Sequence, residues 1–160
     1  MFDLLARIIT SDKSSISFAD TVSEMLLKIF NDLRLEANEK TTSKWNKKLE
    51  QAENLDSAST KKQIQERYKA AIEAEYLLLR EVFLSAIHSW FAQLFQLSNG
   101  IGYDLLSNPE ILPEKIRDIN LDTDTTQKYL QYTERLIGML KWNVDEKLAI
   151  QEFCFNLILK

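Results

Sequence analysis

The chain has 160 residues, of which 45% are hydrophobic and 10% aromatic, with 20 Lys and Arg against 24 Asp and Glu. That is one domain's length with enough apolar material for a real core, which excludes a disordered chain. Three Gly and two Pro exclude collagen-like and low-complexity chains, the formal charge of −4 argues against a dedicated nucleic-acid-binding domain, and a single Cys cannot form an internal disulfide and fits a reducing, intracellular setting.

Phe2 to Ile9 reads as a short helix closed by Thr10-Ser11-Asp12, and without a basic leading segment it does not read as a signal peptide. Phe18, Val22, Met25, Leu26, Ile29, Phe30 and Leu33 then recur at steps of three and four, the spacing of one helical face. Ser17 is the expected N-cap, because a hydroxyl oxygen can accept from an unpaired N–H of the first turn. Glu36 to Ser59 is polar apart from Trp45, Leu49 and Leu55; with no Pro or Gly, it reads as a helical extension that breaks within Asn54 to Ser59.

The strongest pattern follows. Ile64, Tyr68, Ile72, Tyr76, Leu79, Phe83, Ile87, Trp90, Leu94 and Leu97 keep helical spacing until Ser98-Asn99-Gly100, a suitable C-terminal stop. After Tyr76 the apolar face widens to take in Leu77, Leu78, Val82, Leu84, Ala86 and Phe91. This predicts a long helix, about 50–60 Å, that starts at an edge and enters the centre of a bundle. Arg80, Glu81, His88, Gln93 and Gln96 make the stretch too polar for a membrane span.

Asn108-Pro109 and Leu112-Pro113 mark turns, and Pro113 to Ile119 predicts a short helix with Pro at its first position. Asp122 or Asp124 would cap the next helix, whose buried stripe is Tyr129, Tyr132, Thr133, Leu136, Ile137 and Leu140. A break at Asn143 to Asp145 precedes a last helix with Ala149, Ile150, Phe153, Cys154, Leu157 and Ile158 on one face. Asp145 and Glu146 suit the positive end of its dipole. No strand pattern is found, so the fold expected is an all-α bundle of about five to seven helices, a single helical domain over 1–160 with one long central helix.

Sites with chemistry are scarce. The phosphate-binding loop G-x-x-x-x-G-K-[ST] is missing, which argues against ATP binding. His88 has no carboxylate or thiol three or four residues away, so a packed or partly exposed histidine is the plainer reading than a metal ligand. Cys154 lies on an apolar helical face and reads as an inert buried thiol. Asp122-Thr123-Asp124-Thr125 opens like a calcium loop but lacks the turn glycine and the twelfth-position Glu, so helix capping is the better reading. Lys40, Lys44, Lys47 and Lys48 surround Trp45, and Lys61, Lys62, Arg67 and Lys69 surround Tyr68. This mixture can bind single strands, yet interleaved Glu36, Glu39, Glu50, Glu53 and Glu66 favour a solvated, salt-bridged surface.

Two segments carry a family resemblance. Glu73 to Gly100 reads EAEYLLLREVFLSAIHSWFAQLFQLSNG, and Leu136 to Leu159 reads LIGMLKWNVDEKLAIQEFCFNLIL. Together they resemble the C-terminal helical collar domain of bacterial DNA polymerase III clamp-loader subunits, most of all delta-prime. In that family a Trp-containing apolar run ends in polar residues and Gly, and an Asn-x-Asn/Asp turn later leads into Leu-x-Leu-Glu and an apolar tail. Trp90 to Gly100 supplies the first element; Asn143, Asp145, Leu148, Ile150 and Glu152 supply the second. Glu152 stands one place later than the pattern, after Gln151. Phe2 to Leu33 also fits the family's two opening helices, and the likeness covers about two-thirds of the chain.

The resemblance implies the C-terminal part of a larger AAA+ subunit: an oligomerisation collar in the bacterial cytoplasm, with no cofactor, metal or catalytic residue. Its partners would be other clamp-loader subunits, while the sliding clamp and primer-template DNA would be met only through AAA+ domains outside this sequence. By itself the chain is expected to be monomeric and to have no part in a membrane. The expected collar surface is formed by Leu77, Leu78, Leu84 and Phe91, off the main stripe. The rival readings are a stand-alone helical adaptor docking through the Trp45 region, and a metal-dependent helical enzyme, for which the ligands are missing.

Overall fold

The computed structural model describes residues 2–10, 15–53, 57–117, 122–142 and 144–159. Among them are six α-helices and no strand: α1 (Phe2–Thr10), α2 (Ile16–Glu53), α3 (Ala58–Ser98), α4 (Glu114–Arg117), α5 (Thr123–Lys141) and α6 (Glu146–Ile158). Two single 3-10 turns, Tyr103–Leu105 and Pro109–Ile111, lie between α3 and α4. The polar stretch after Glu36 is helical to Glu53, and Ala58 and Ser59 already belong to α3; residues 54–56 lie outside the described residues. The 41 residues of α3 correspond to about 60 Å of helix.

Helix ends follow local chemistry. α2 starts earlier than its apolar stripe suggests: Ser15, not Ser17, is the capping residue, with Oγ accepting from Phe18 N–H at 3.2 Å. Ser17 lies inside the helix and its carbonyl accepts from the Thr21 hydroxyl at 2.8 Å. α3 ends in a Schellman arrangement, with Ile101 N–H donating to Gln96 O at 3.1 Å and Gly100 N–H to Leu97 O at 2.9 Å. That closure needs φ of +83° at Gly100, a left-handed conformation that glycine adopts without steric cost. α4 begins one residue after Pro113, whose carbonyl accepts from Ile116 N–H; Ile119 lies outside the described residues. Asp122 caps α5 through Thr125 N–H (2.8 Å), and Asp145 caps α6 through Leu148 N–H (3.0 Å).

The described residues divide into two compact units, Met1–Leu27 with Leu84–Lys160, and Lys28–Phe83. In the first, α1, the start of α2, the end of α3 and α5–α6 surround a core in which Leu5, Ile87, Trp90, Leu94, Leu136, Ile150 and Phe153 are at most 1% exposed. Aromatic rings tie its helices together. Phe91 meets Tyr129 of α5 at 5.7 Å and Phe153 of α6 at 6.4 Å between centroids. Gln93 is buried because its Oε1 accepts the Asn108 N–H at 3.1 Å and its Nε2 donates to Ser89 O. Ser98 shares a 2.7 Å hydrogen bond with Thr126, which sets the start of α5 against the end of α3.

The second unit is an antiparallel helix pair. Partner numbers fall along α3 as they rise along α2: Phe30 meets Phe83, Arg34 lies over the Tyr76 ring, and Thr42 bonds Tyr68. Its interface is lean, with Phe30, Ala37, Thr41 and Tyr76 fully buried. Ion pairs along its flanks supplement it, Arg34–Glu73 and Lys44–Glu75 among them.

Candidate interaction surfaces

In the first unit, the residues of the family-like motif take distinct places. Trp90 is fully buried and packs edge-on to Phe91, with centroids 5.0 Å apart. Its indole Nε1 has no hydrogen-bond partner among the described residues. Ile150 is buried on the inner face of α6, two positions from Glu152, whose carboxylate pairs with Arg135 of α5 at 2.6 Å. Gly100 and Asp145 act at helix ends. Asn143 lies outside the described residues. Leu148 is on the outer face of α6 and 62% exposed.

Of the four residues expected to form the collar surface, two are exposed. Leu77 and Leu78 are exposed in the second unit. Leu84 and Phe91, by contrast, are buried in the first unit and unavailable to a partner. They lie in one inward row with Ile87 and Leu94, and Phe91 is covered by the rings of α5 and α6. Excess width of an apolar face was here a sign of more helices within the unit.

Other exposed apolar side chains are not assigned to a surface by the sequence, although Val82 belongs to the widened apolar face. Val82, one turn beyond Leu78, is 62% exposed and extends the Leu77–Leu78 strip along α3. Trp142, just past α5, is 86% exposed, with exposed Val144 and Leu148 close by in the chain. Single exposed leucines are ordinary, but an exposed Trp followed within six residues by two more exposed apolar side chains has the composition of a contact site. The signal was the position of Trp142 beyond the last residue of the Leu136–Leu140 stripe, beside the predicted break.

Trp45 is half-buried, with its ring 5.9 Å from that of Tyr68 and Lys48 Nζ 5.0 Å from its centroid. It joins its own two helices and is poorly placed to anchor a partner. The surrounding charges are partly neutralised. Lys40 pairs with Glu36 at 2.6 Å, a bond that holds its ammonium above the ordinary pKa, and Lys44 and Lys62 pair with Glu75 and Glu66. Lys47, Lys48, Arg67 and Lys69 are exposed and have no carboxylate partner among the described residues.

His88 Nε2 lies 3.7 Å from Glu134 of α5, a carboxylate invisible to sequence spacing, in a half-open position at the surface of the first unit. Burial pushes the Cys154 thiol up to about 12, so it is held as the neutral thiol. Hydrogen bonding to Thr125 holds Asp122 below its ordinary value, as a capping carboxylate requires. Among the described residues no group of three His, Cys, Asp or Glu is placed to hold a metal, and no helix is long and apolar enough to cross a membrane. The chain matches no family model, no curated protein and no solved structure.

Proposed function

We propose that this chain is a non-catalytic oligomerisation domain of the clamp-loader collar type, delta-prime-like, working in the bacterial cytoplasm by holding neighbouring subunits. The observation that carries the reading is that each compact unit has its own exposed apolar surface: Trp142, Val144 and Leu148 in the first, Leu77, Leu78 and Val82 in the second. A ring subunit has two neighbours and needs two such surfaces. The ordered Trp90–Gly100 and Asp145–Glu152 pattern adds the family likeness. Both surfaces are small, which suits contacts that are weak singly and firm only in a complete ring.

A stand-alone adaptor is the second reading, and the exposed Trp142 favours it, since one large aromatic can anchor a partner alone. Co-expression with the clamp-loader subunits of the source bacterium separates the two. The collar reading expects co-purification that Trp142→Ala and Leu78→Asp each weaken, because both surfaces are engaged. Capture of one unrelated partner that depends on Trp142 alone, with no loader subunit retained, would replace it with the adaptor.

A further inference from the structure

We infer that the lysine-rich end of the second unit, Lys40 to Lys48 of α2 with Lys61 to Lys69 of α3, binds the phosphate backbone of nucleic acid without reading its bases. This goes beyond the collar reading and rests on separate observations. Residues 40–69 hold eight basic residues against four acidic ones, and with Glu36 and Glu75, which pair with Lys40 and Lys44 from outside the segment, the balance is eight against six, whereas the rest of the chain holds twelve against eighteen. An acidic chain thus concentrates its positive charge at one place, the footprint of a polyanion site. Lys47 and Lys48 on α2 and Arg67 and Lys69 on α3 are the four cations there without a carboxylate partner among the described residues. The Trp45–Tyr68 contact and the Thr42–Tyr68 hydrogen bond join the two helices that carry them.

The same segment discriminates between classes of polyanion. No large hydrophobic side chain between Leu35 and Leu77 is exposed among the described residues. A protein partner would need an apolar or aromatic centre to its contact, and a lipid surface an apolar face to insert. A phosphate backbone needs neither, since release of its counterions drives binding. Trp45 and Tyr68 are packed on each other, so base stacking is not on offer and sequence preference should be absent.

The test is fluorescence anisotropy of the full chain with labelled 20-nucleotide single strands of two compositions and a 20-base-pair duplex. Four engaged cations predict saturable binding whose affinity for the duplex falls about a hundredfold between 50 and 200 mM salt. The single strands should bind with no preference for composition. Reversing Lys47, Lys48, Arg67 and Lys69 to Glu should weaken binding at least tenfold with helicity unchanged, while Lys141→Glu with Lys147→Glu should not weaken it comparably. No saturable binding at 50 mM salt, or unaltered binding by the fourfold variant, would overturn the assignment. Equal competition by poly-glutamate or by phosphatidylserine vesicles would move the site to an acidic protein or a lipid surface and would equally overturn it. Loader assembly is a separate readout, so failure here leaves the collar reading to its own experiment.

Discussion

Thr42 Oγ1 and Tyr68 Oη lie 2.6 Å apart, a hydrogen bond that fixes the register of α2 against α3 within the second unit. The apolar contact there is thin, so a polar pair carries an uncommon share of the alignment. In a double-mutant cycle, Thr42→Val and Tyr68→Phe should show a coupling energy of about 0.5–1.5 kcal/mol in urea unfolding. Additive losses would mean the two hydroxyls act independently.

The inner face of α6 should be far more sensitive than its outer face. Ile150 is fully buried, and replacing it by Glu loses apolar contact and leaves a charge without solvent, a cost of about 3–5 kcal/mol. Lys147→Glu, on the exposed side, should change stability by no more than about 0.5 kcal/mol. Equal shifts in Tm for the two would contradict the phase of this helix.

Trp90 combines full burial with an Nε1 that has no hydrogen-bond partner among the described residues. Trp90→Ala should cost about 3–5 kcal/mol through the cavity it opens. Trp90→Phe keeps much of the ring and removes a buried donor with no acceptor, so its cost should be less than half that of the alanine change. Chemical denaturation of both variants decides the matter: comparable losses would show that the indole N–H is satisfied.

Cys154 should resist Ellman's reagent in the native chain and react fully in urea. Its folded pKa, raised to about 12 by burial, lies above the ordinary thiol value of 9.0. The folded state therefore holds the proton more tightly than the unfolded state. Its contribution to stability is complete below about pH 9 and declines as pH rises toward 12. Tyr129, whose burial also raises its pKa, acts with the same sign. Melting temperatures that rise between pH 9 and 11, or Cys154→Ala chains that lose none of their alkaline sensitivity, would contradict the role given to this thiol.

Helix identity was legible because apolar residues at steps of three and four leave few alternatives, as along Ile64–Leu97. The α5 cap was narrowed to Asp122 or Asp124, and Asp122 took the role; Asp145, legible only as a charge that suits the first turn of α6, is its cap. At α2 two serines competed, and the helix began before the stripe at Phe18 that marked it, so Ser15 took the capping role. The exposure of the residues off the main stripe was half legible. A wide apolar face shows that a helix is much covered, yet only tertiary packing shows by what. Leu84 and Phe91 therefore went inward, while Leu77 and Leu78 stayed outside. Periodicity assigns Trp142 no face, because it lies beyond the end of its helix, and only its place beside the predicted break marked it. The Trp45–Tyr68 pairing depends on the register of two separate helices, which neither helix contains alone.

The three tryptophans sample three environments: Trp90 fully buried, Trp45 half-buried beside Tyr68, and Trp142 86% exposed. The chain therefore carries its own optical reporters, one for each event of interest. Loss of core packing would red-shift Trp90 emission, and anion binding at the lysines would perturb Trp45. A protein docking on the end of α5 would shield Trp142 from iodide or acrylamide. Single-tryptophan variants, with Phe at the other two positions, would assign each signal to its place.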